Sequence, residues 1–236
     1  MGSADISALV TGAGRGIGRA VALALAREGA AVTLVSRSTS ELETLAGEID
    51  AEGGRSLVCA GDLREPGFCD QVVAAGVKAY GGLDVLVNNA GVGGSAPVAE
   101  TSDELWERIF ATNLTAVFRI TRAALPHLAR KGGHVFMISS LAGSNPIAGM
   151  AAYCASKAAL DHFASCLMLE VRQQGIKVTT IAPGSVETGF GGSRSGASWK
   201  LQPEDVAGAV VNLMRSRQGA LLSRVEMRPL RPPSGA

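Results

Sequence analysis

The stretch Ile6-Ser7-Ala8-Leu9-Val10-Thr11-Gly12-Ala13-Gly14-Arg15-Gly16-Ile17-Gly18 decides the fold. Residues 6–10 form a short apolar run of the kind that becomes a fully buried strand. Over residues 17–28 the apolar positions recur at helical spacing instead. Strand and helix are thus joined by glycines, which allow a tight turn and let the backbone come close to a ligand. A pyrophosphate brought to such a turn rests on the helix N-terminus, where free N–H groups and the helix dipole favour negative charge. The spacing departs from the usual GxGxxG. Counting from Gly12, the sixth position is Ile17, so residues 11–18 read TGxxxGxG.

Outward from this turn, strand-like and helical runs alternate along the chain. Residues 31–36, 56–60, 84–87, 134–139, 177–181 and 221–227 read as strands. Residues 41–52, 67–79, 103–130, 152–173 and 203–215 read as helices, the last with Pro203 in its first turn. Such alternation implies βαβ crossovers, hence an α/β fold with a mostly parallel sheet covered on both faces. No composition shift marks a linker and no repeat is visible. The longest stretch without a period, residues 184–202, is rich in Gly and Ser and reads as a functional loop. Residues 229–236, with their prolines, read as an extended or frayed tail.

Composition narrows the function. The 236 residues are 47% hydrophobic and carry 22 Lys plus Arg against 21 Asp plus Glu, a net charge of +1. The apolar content excludes disorder, and the balanced charge without a basic run argues against nucleic acid or an anionic membrane as partner. No signal-peptide pattern or membrane-length apolar run is present, so a cytoplasmic protein is expected. Cys59, Cys69, Cys154 and Cys166 lack CxxC pairing and read as reduced thiols. His127, His134 and His162 show no ligand spacing, and no metal site is expected.

Further motifs follow the glycine turn in order: Asp62-Leu63, Asn88-Asn89-Ala90-Gly91, Asn113, Ser140, Tyr153-Cys154-Ala155-Ser156-Lys157 and Pro183-Gly184. Each is degenerate alone. Together, and at this spacing, they resemble the short-chain dehydrogenase/reductase family over nearly the whole chain. The resemblance implies a single-domain Rossmann fold over residues 1–228, with a doubly wound seven-stranded sheet of order 3-2-1-4-5-6-7. It also implies hydride transfer between a nicotinamide dinucleotide and a carbonyl or secondary alcohol.

The second strand ends Val35-Ser36-Arg37-Ser38, with no carboxylate until Glu41. An acidic residue at that end would hold the ribose 2′-hydroxyl and favour NAD(H). Arg37 can instead make a charge-assisted fork to a 2′-phosphate. Arg15 can reach the same phosphate, as a basic residue does in NADP-using family members. NADP(H) is the expected cofactor, with NAD(H) as the alternative. The resemblance places Asp62 and Leu63 at the adenine, and Asn89, Ala90 and Gly91 along the adenosine. It places Pro183, Gly184, Val186 and Thr188 near the nicotinamide and phosphates. Gly12, Gly14, Gly16, Ile17, Gly18 and Ser36 complete the expected dinucleotide site. Asn88 and Asn89 are also expected to satisfy nearby backbone groups, a structural role.

Tyr153 and Lys157 are four apart, so they share one face of a helix. A phenol with pKa ~10 is a poor acid–base group at neutral pH, and a nearby ammonium lowers that value. The resemblance makes Tyr153 the general acid/base and gives Lys157 the nicotinamide ribose hydroxyls. It assigns Ser140 to the substrate oxygen and makes Asn113 the residue that kinks the long helix and holds a water in a proton relay through Lys157.

Substrate choice falls to residues 185–200, a loop expected to be mobile and to order on binding, and to Ile147, Met150 and Phe190. The group nearest in kind is the 3-oxoacyl-[acyl-carrier-protein] reductases. Lys131 beside Arg130 fits it, while Gln174 and the ending Met227-Arg228-Pro229 do not. A small ketone or diketone is equally open. Leu105, Ile109 and Phe118, with Phe163, Leu167 and Val171, suit a helix-paired homodimer or homotetramer. Two other readings stay open: an NAD-dependent alcohol dehydrogenase, and a non-enzymatic NADP(H)-binding regulator.

Overall fold

Strand β1 (Ser7–Thr11) is buried at every position, since strands pair along both its edges and helices cover both its faces. A computed structural model describes residues 6–130, 132–190, 197–217 and 219–231. In it β1 lies between β2 (Ala31–Ser36) and β4 (Val85–Asn88). β3 (Arg55–Ala60), β5 (His134–Ile138), β6 (Lys177–Pro183) and β7 (Arg224–Met227) complete a seven-stranded sheet of order β3-β2-β1-β4-β5-β6-β7. Every pairing is parallel, so the sheet is wholly rather than mostly so. This is the doubly wound α/β Rossmann arrangement expected from the sequence.

Alternation along the strands builds two cores. Ala8, Val10, Val85, Val87, Phe136 and Ile138 face one way, onto α1 (Gly16–Arg27), α2 (Thr39–Ala51) and α7 (Pro203–Met214). The residues between them, Leu9, Leu86, Val135 and Met137, face α3 (Phe68–Tyr80), α5 (Ala116–Leu128) and α6 (Ala151–Val171). Phe136 is among the largest fully buried side chains and stacks on His134 with ring centroids 3.9 Å apart. Phe136→Ala is expected to cost about 3–5 kcal/mol of unfolding free energy in a urea titration. Burial pulls the His134 pKa down to about 3, which keeps the ring neutral against Thr179 at 2.8 Å.

The helix expected over residues 103–130, with a kink at Asn113, is divided: α4 (Asp103–Phe110) runs into a five-residue π-helical turn, Ala111–Thr115, before α5 begins. One reading needs correction. The last strand starts at Arg224 rather than 221, and Leu221 and Leu222 lie exposed before it. No helix among the described residues is long and apolar enough to cross a membrane.

Candidate active site

After β1 the chain goes to β2 and β3 on one side, then returns to lay β4 on the other. The connections leaving β1 and β4 therefore diverge, and a crevice opens at the C-terminal strand ends. A cavity of about 740 Å³ occupies this place, lined by the segments that follow β1 through β6. Of the residues singled out in the sequence, Gly12, Gly14, Arg15, Gly16, Ile17, Ser36, Arg37, Asp62, Leu63, Asn89, Ala90, Gly91, Ser140, Tyr153, Lys157, Pro183, Gly184, Val186 and Thr188 line it. Gly18 and Asn113 stand behind the wall.

The glycine turn is held from below. Thr11 Oγ1 accepts the N–H groups of Asn89 and Ala90, both at 3.0 Å, and donates to the Val87 carbonyl at 3.2 Å. Asn89 Nδ2 donates back to the Thr11 and Gly12 carbonyls at 2.9 and 3.2 Å. Asn89 thus plays the backbone-satisfying role expected of it. Asn88 does not: its Nδ2 donates to Thr121 Oγ1 on α5 at 3.0 Å, and its buried Oδ1 has no hydrogen-bond partner. Gly12 and Gly16 have φ of 66° and 55°, the left-handed region that favours glycine. A Cβ on Gly18 would overlap the Gly12 carbonyl oxygen, which accounts for a glycine behind the wall. The turn is a cradle that side chains would fill, and it opens α1 with no side-chain cap on its free N–H groups. These residues fit a dinucleotide diphosphate.

At the adenosine end Ser36, Arg37 and Ser38 line the cavity together with Glu41, which the sequence had offered only as the first carboxylate after β2. Glu41 lies against Gly14 and Ser36, so a negative group does stand near this end. Asp62 is occupied. Arg64 clasps its carboxylate through Nε at 3.0 and 3.1 Å and through Nη2 at 2.6 Å, and adds its backbone N–H at 2.9 Å. That guanidinium holds the Asp62 carboxyl below its usual range. Arg64 also lines the cavity and was missed in the sequence, where its position two after Asp62 was the only signal.

At the other end α6 brings Tyr153 and Lys157 to the wall, both buried, with Ser140, just after β5, on the same cavity. Lys157 Nζ donates to the Ile138 carbonyl at 2.9 Å and lies 5.9 Å from the centroid of the Tyr153 ring. Burial pulls its pKa down to about 8, against a raising influence from Asp161 one turn on. The phenol differs from expectation. Burial pushes its pKa up, and the Ser140 hydrogen bond only partly opposes this. The sequence reading weighed the ammonium and left out the loss of water.

Asn113 sits in the π turn, and its side-chain amide is fully engaged. Oδ1 accepts the Val92 N–H at 2.8 Å, and Nδ2 donates to the Val92 carbonyl and to Ser156 Oγ, both at 3.0 Å. Ser156 in turn donates to the Tyr153 carbonyl at 2.7 Å. Asn113 therefore ties the chain after β4 to the helix carrying Tyr153, through a serine that the sequence presented only as part of a motif.

The described ends of the loop over residues 184–202 are pinned. Val186 pairs with Leu201 in a parallel bridge, and Thr188 packs on Gly16. Phe190 packs over Gly93, its ring 5.8 Å from that of Tyr153. Met150 also lines the cavity, whereas Ile147 is exposed away from it. Residues 191–196, Lys131 and the tail from 232 lie outside the described residues. Among the described residues no cluster of His, Cys, Asp or Glu is arranged to hold a metal.

Residues 7–198 match the family described as short chain dehydrogenase. The 2,5-dichloro-2,5-cyclohexadiene-1,4-diol dehydrogenase LinX of Sphingobium indicum is 38% identical over 182 residues, which is 77% of this chain and 73% of that protein. An alcohol dehydrogenase of Thermococcus sibiricus, solved with 5-hydroxy-NADP, superposes with a TM-score of 0.91 at 30% identity, covering 96% of this chain and 98% of that one. A metagenomic short-chain oxidoreductase solved with NADP gives a TM-score of 0.87 at 35% identity over 98% of this chain and 100% of that one. With the family matched over most of the sequence and the fold shared end to end, the chain belongs to the short-chain dehydrogenases, a family of oxidoreductases.

Proposed function

We propose that residues 1–228 form one catalytic domain that transfers hydride between NADP(H) and a carbonyl or secondary alcohol, with Tyr153 as general acid/base. The observation that carries this reading is the meeting of Ser140, Tyr153 and Lys157 on a cavity whose other end is the glycine cradle. The nicotinamide, when bound, supplies or accepts the hydride. Tyr153 gives its proton to the carbonyl oxygen in reduction and takes it back in oxidation. Ser140 Oγ, on the same cavity, steadies the same oxygen. Lys157 remains largely charged at neutral pH and would hold the nicotinamide ribose hydroxyls. A phenol whose pKa burial has raised keeps its proton, which suits reduction at neutral pH.

Arg15 and Arg37 at the cavity, and the NADP complexes of two structural relatives, support NADP(H). Glu41 supports NAD(H) as a second reading, because a carboxylate near the adenosine end repels a 2′-phosphate. Arg37→Asp is expected to weaken NADPH about tenfold more than NADH, and Glu41→Gln to move the preference toward NADPH. Parallel titrations of both dinucleotides check this, and equal losses for Arg37→Asp would sink the phosphate clamp. Initial rates with NADPH and NADH test the main reading on cyclic ketones, diketones, quinones and a 3-oxoacyl thioester. A cyclic alcohol or ketone is favoured by the diol named for the Sphingobium relative and by the Phe190 ring beside Tyr153. No turnover in either direction with any of them counts against it.

The protein is further read as a homo-oligomer paired through α5 and α6, where exposed Phe118 meets Phe163 edge-on at 6.4 Å. Ile109, Leu167 and Val171 are buried within the monomer and leave this face to Phe118 and its neighbours.

A further inference from the structure

The neck of the loop after β6 sets an ion pair into the cavity wall. The Glu187 N–H donates to the Leu201 carbonyl at 2.8 Å and the Leu201 N–H donates to the Ser185 carbonyl at 3.0 Å, so the two ends of the loop run side by side. This pairing brings the side chains of Glu187 and Lys200 together at 3.5 Å, with only 16% and 12% of their surfaces exposed. Glu187 Oε2 also accepts the Ala197 N–H at 3.3 Å, while its buried Oε1 has no hydrogen-bond partner among the described residues. Lys200 lines the dinucleotide cavity. The neighbour of Glu187, Thr188, packs so closely on the glycine turn that a Cβ on Gly16 would come within 3.1 Å of it. The loop that carries the pair therefore packs against the diphosphate cradle.

We propose that Lys200 is a diphosphate-binding residue which Glu187 holds in readiness and which shifts part of its bonding to the phosphates when a dinucleotide enters. This rests on the dinucleotide reading given above and adds a residue to it. A diphosphate brings two negative charges to the turn. The other cations lining the cavity serve elsewhere: Lys157 bonds the Ile138 carbonyl, Arg64 bonds Asp62, and Arg37 follows β2 at the adenosine end. Arg15 begins α1 within the turn itself. Among the described residues Lys200 is the cation that the loop after β6 brings to this cavity. Glu187 alone would put a carboxylate beside the phosphates, and its pairing cancels that repulsion. The 3.5 Å separation is looser than the ~2.8 Å of a tight charge-assisted bond, so a phosphate oxygen competes well for the ammonium.

The two members of the pair should then act with opposite sign. Titration of NADPH and NADH into the full chain, followed by cofactor fluorescence, is the experiment. Lys200→Met is expected to weaken both dinucleotides about ten- to a hundredfold without changing their ratio, and Lys200→Arg to retain most of the affinity. Glu187→Gln is expected to tighten both severalfold, because its carboxylate no longer competes with the phosphates for the ammonium. Melting temperatures of all three variants report whether the neck still forms. Wild-type affinity in a folded Lys200→Met, or weakening by Glu187→Gln equal to that by Lys200→Met, overturns the proposal and leaves the pair as a loop clamp. Failure of the wild type to bind either dinucleotide overturns instead the reading on which it rests.

Discussion

Tyr153→Phe is expected to lower kcat by about 10²- to 10⁴-fold, the usual worth of a positioned acid–base group, with dinucleotide affinity close to wild type. The substitution removes one oxygen and keeps the ring, which packs 5.8 Å from Phe190 in a site only 8% exposed. Among the described residues no bond that holds the fold depends on that oxygen, and Ser140 Oγ still accepts the Ala142 N–H at 3.1 Å. Loss of activity with intact binding separates chemistry from assembly. A variant that turns over at the wild-type rate would mean that some other group moves the proton. The raised phenol pKa adds a direction: reduction should hold steady through neutral pH, while oxidation, which needs the phenolate, should rise as pH increases.

Lys157→Met is expected to abolish most activity and at the same time stabilise the fold by about 1–3 kcal/mol at pH 7. The sign follows from linkage. The Lys157 pKa falls from 10.5 to about 8 on folding, so between those values the unfolded chain binds more protons than the folded one. The penalty of keeping this buried group charged is full below pH 8, shrinks as pH rises through that value, and is gone above 10.5. Methionine carries no such penalty but gives up the bond to the Ile138 carbonyl, which offsets part of the gain. Urea titrations at pH 7 and pH 10 should show the advantage of the variant shrinking at the higher value. A Lys157→Met protein less stable than wild type at pH 7 would show that the hydrogen bond outweighs the desolvation of the charge.

The fold was readable because its signals are local. Residues 6–18 carry strand, turn and helix in one stretch, and the apolar alternation of β1, β4 and β5 is that of strands buried on both faces. The break in the helix, expected at Asn113 from the resemblance alone, also had a signal in the spacing. Leu105, Ile109, Asn113 and Val117 repeat every four residues, which in an α-helix drifts about 40° per step. A wider turn absorbs that drift, and the π segment lies within the repeat, at Ala111–Thr115. The missed parts of the site are meetings between distant segments. Glu41 reaches Gly14, Arg64 turns back on Asp62, and Lys200 finds Glu187 only because residues 186 and 201 pair. Charge types are visible in a sequence, but burial is not, and burial decides the direction taken by Tyr153 and Lys157.

The bridge between Val186 and Leu201 makes the segment it encloses an exchangeable cassette. Its ends are stitched to each other just after β6. Lengthening a closed loop is cheap, about 0.6 kcal/mol for each doubling. Segments of different length and polarity can therefore be grafted between residues 188 and 199 to change what is admitted beside Tyr153, while the chemistry beneath stays as it is.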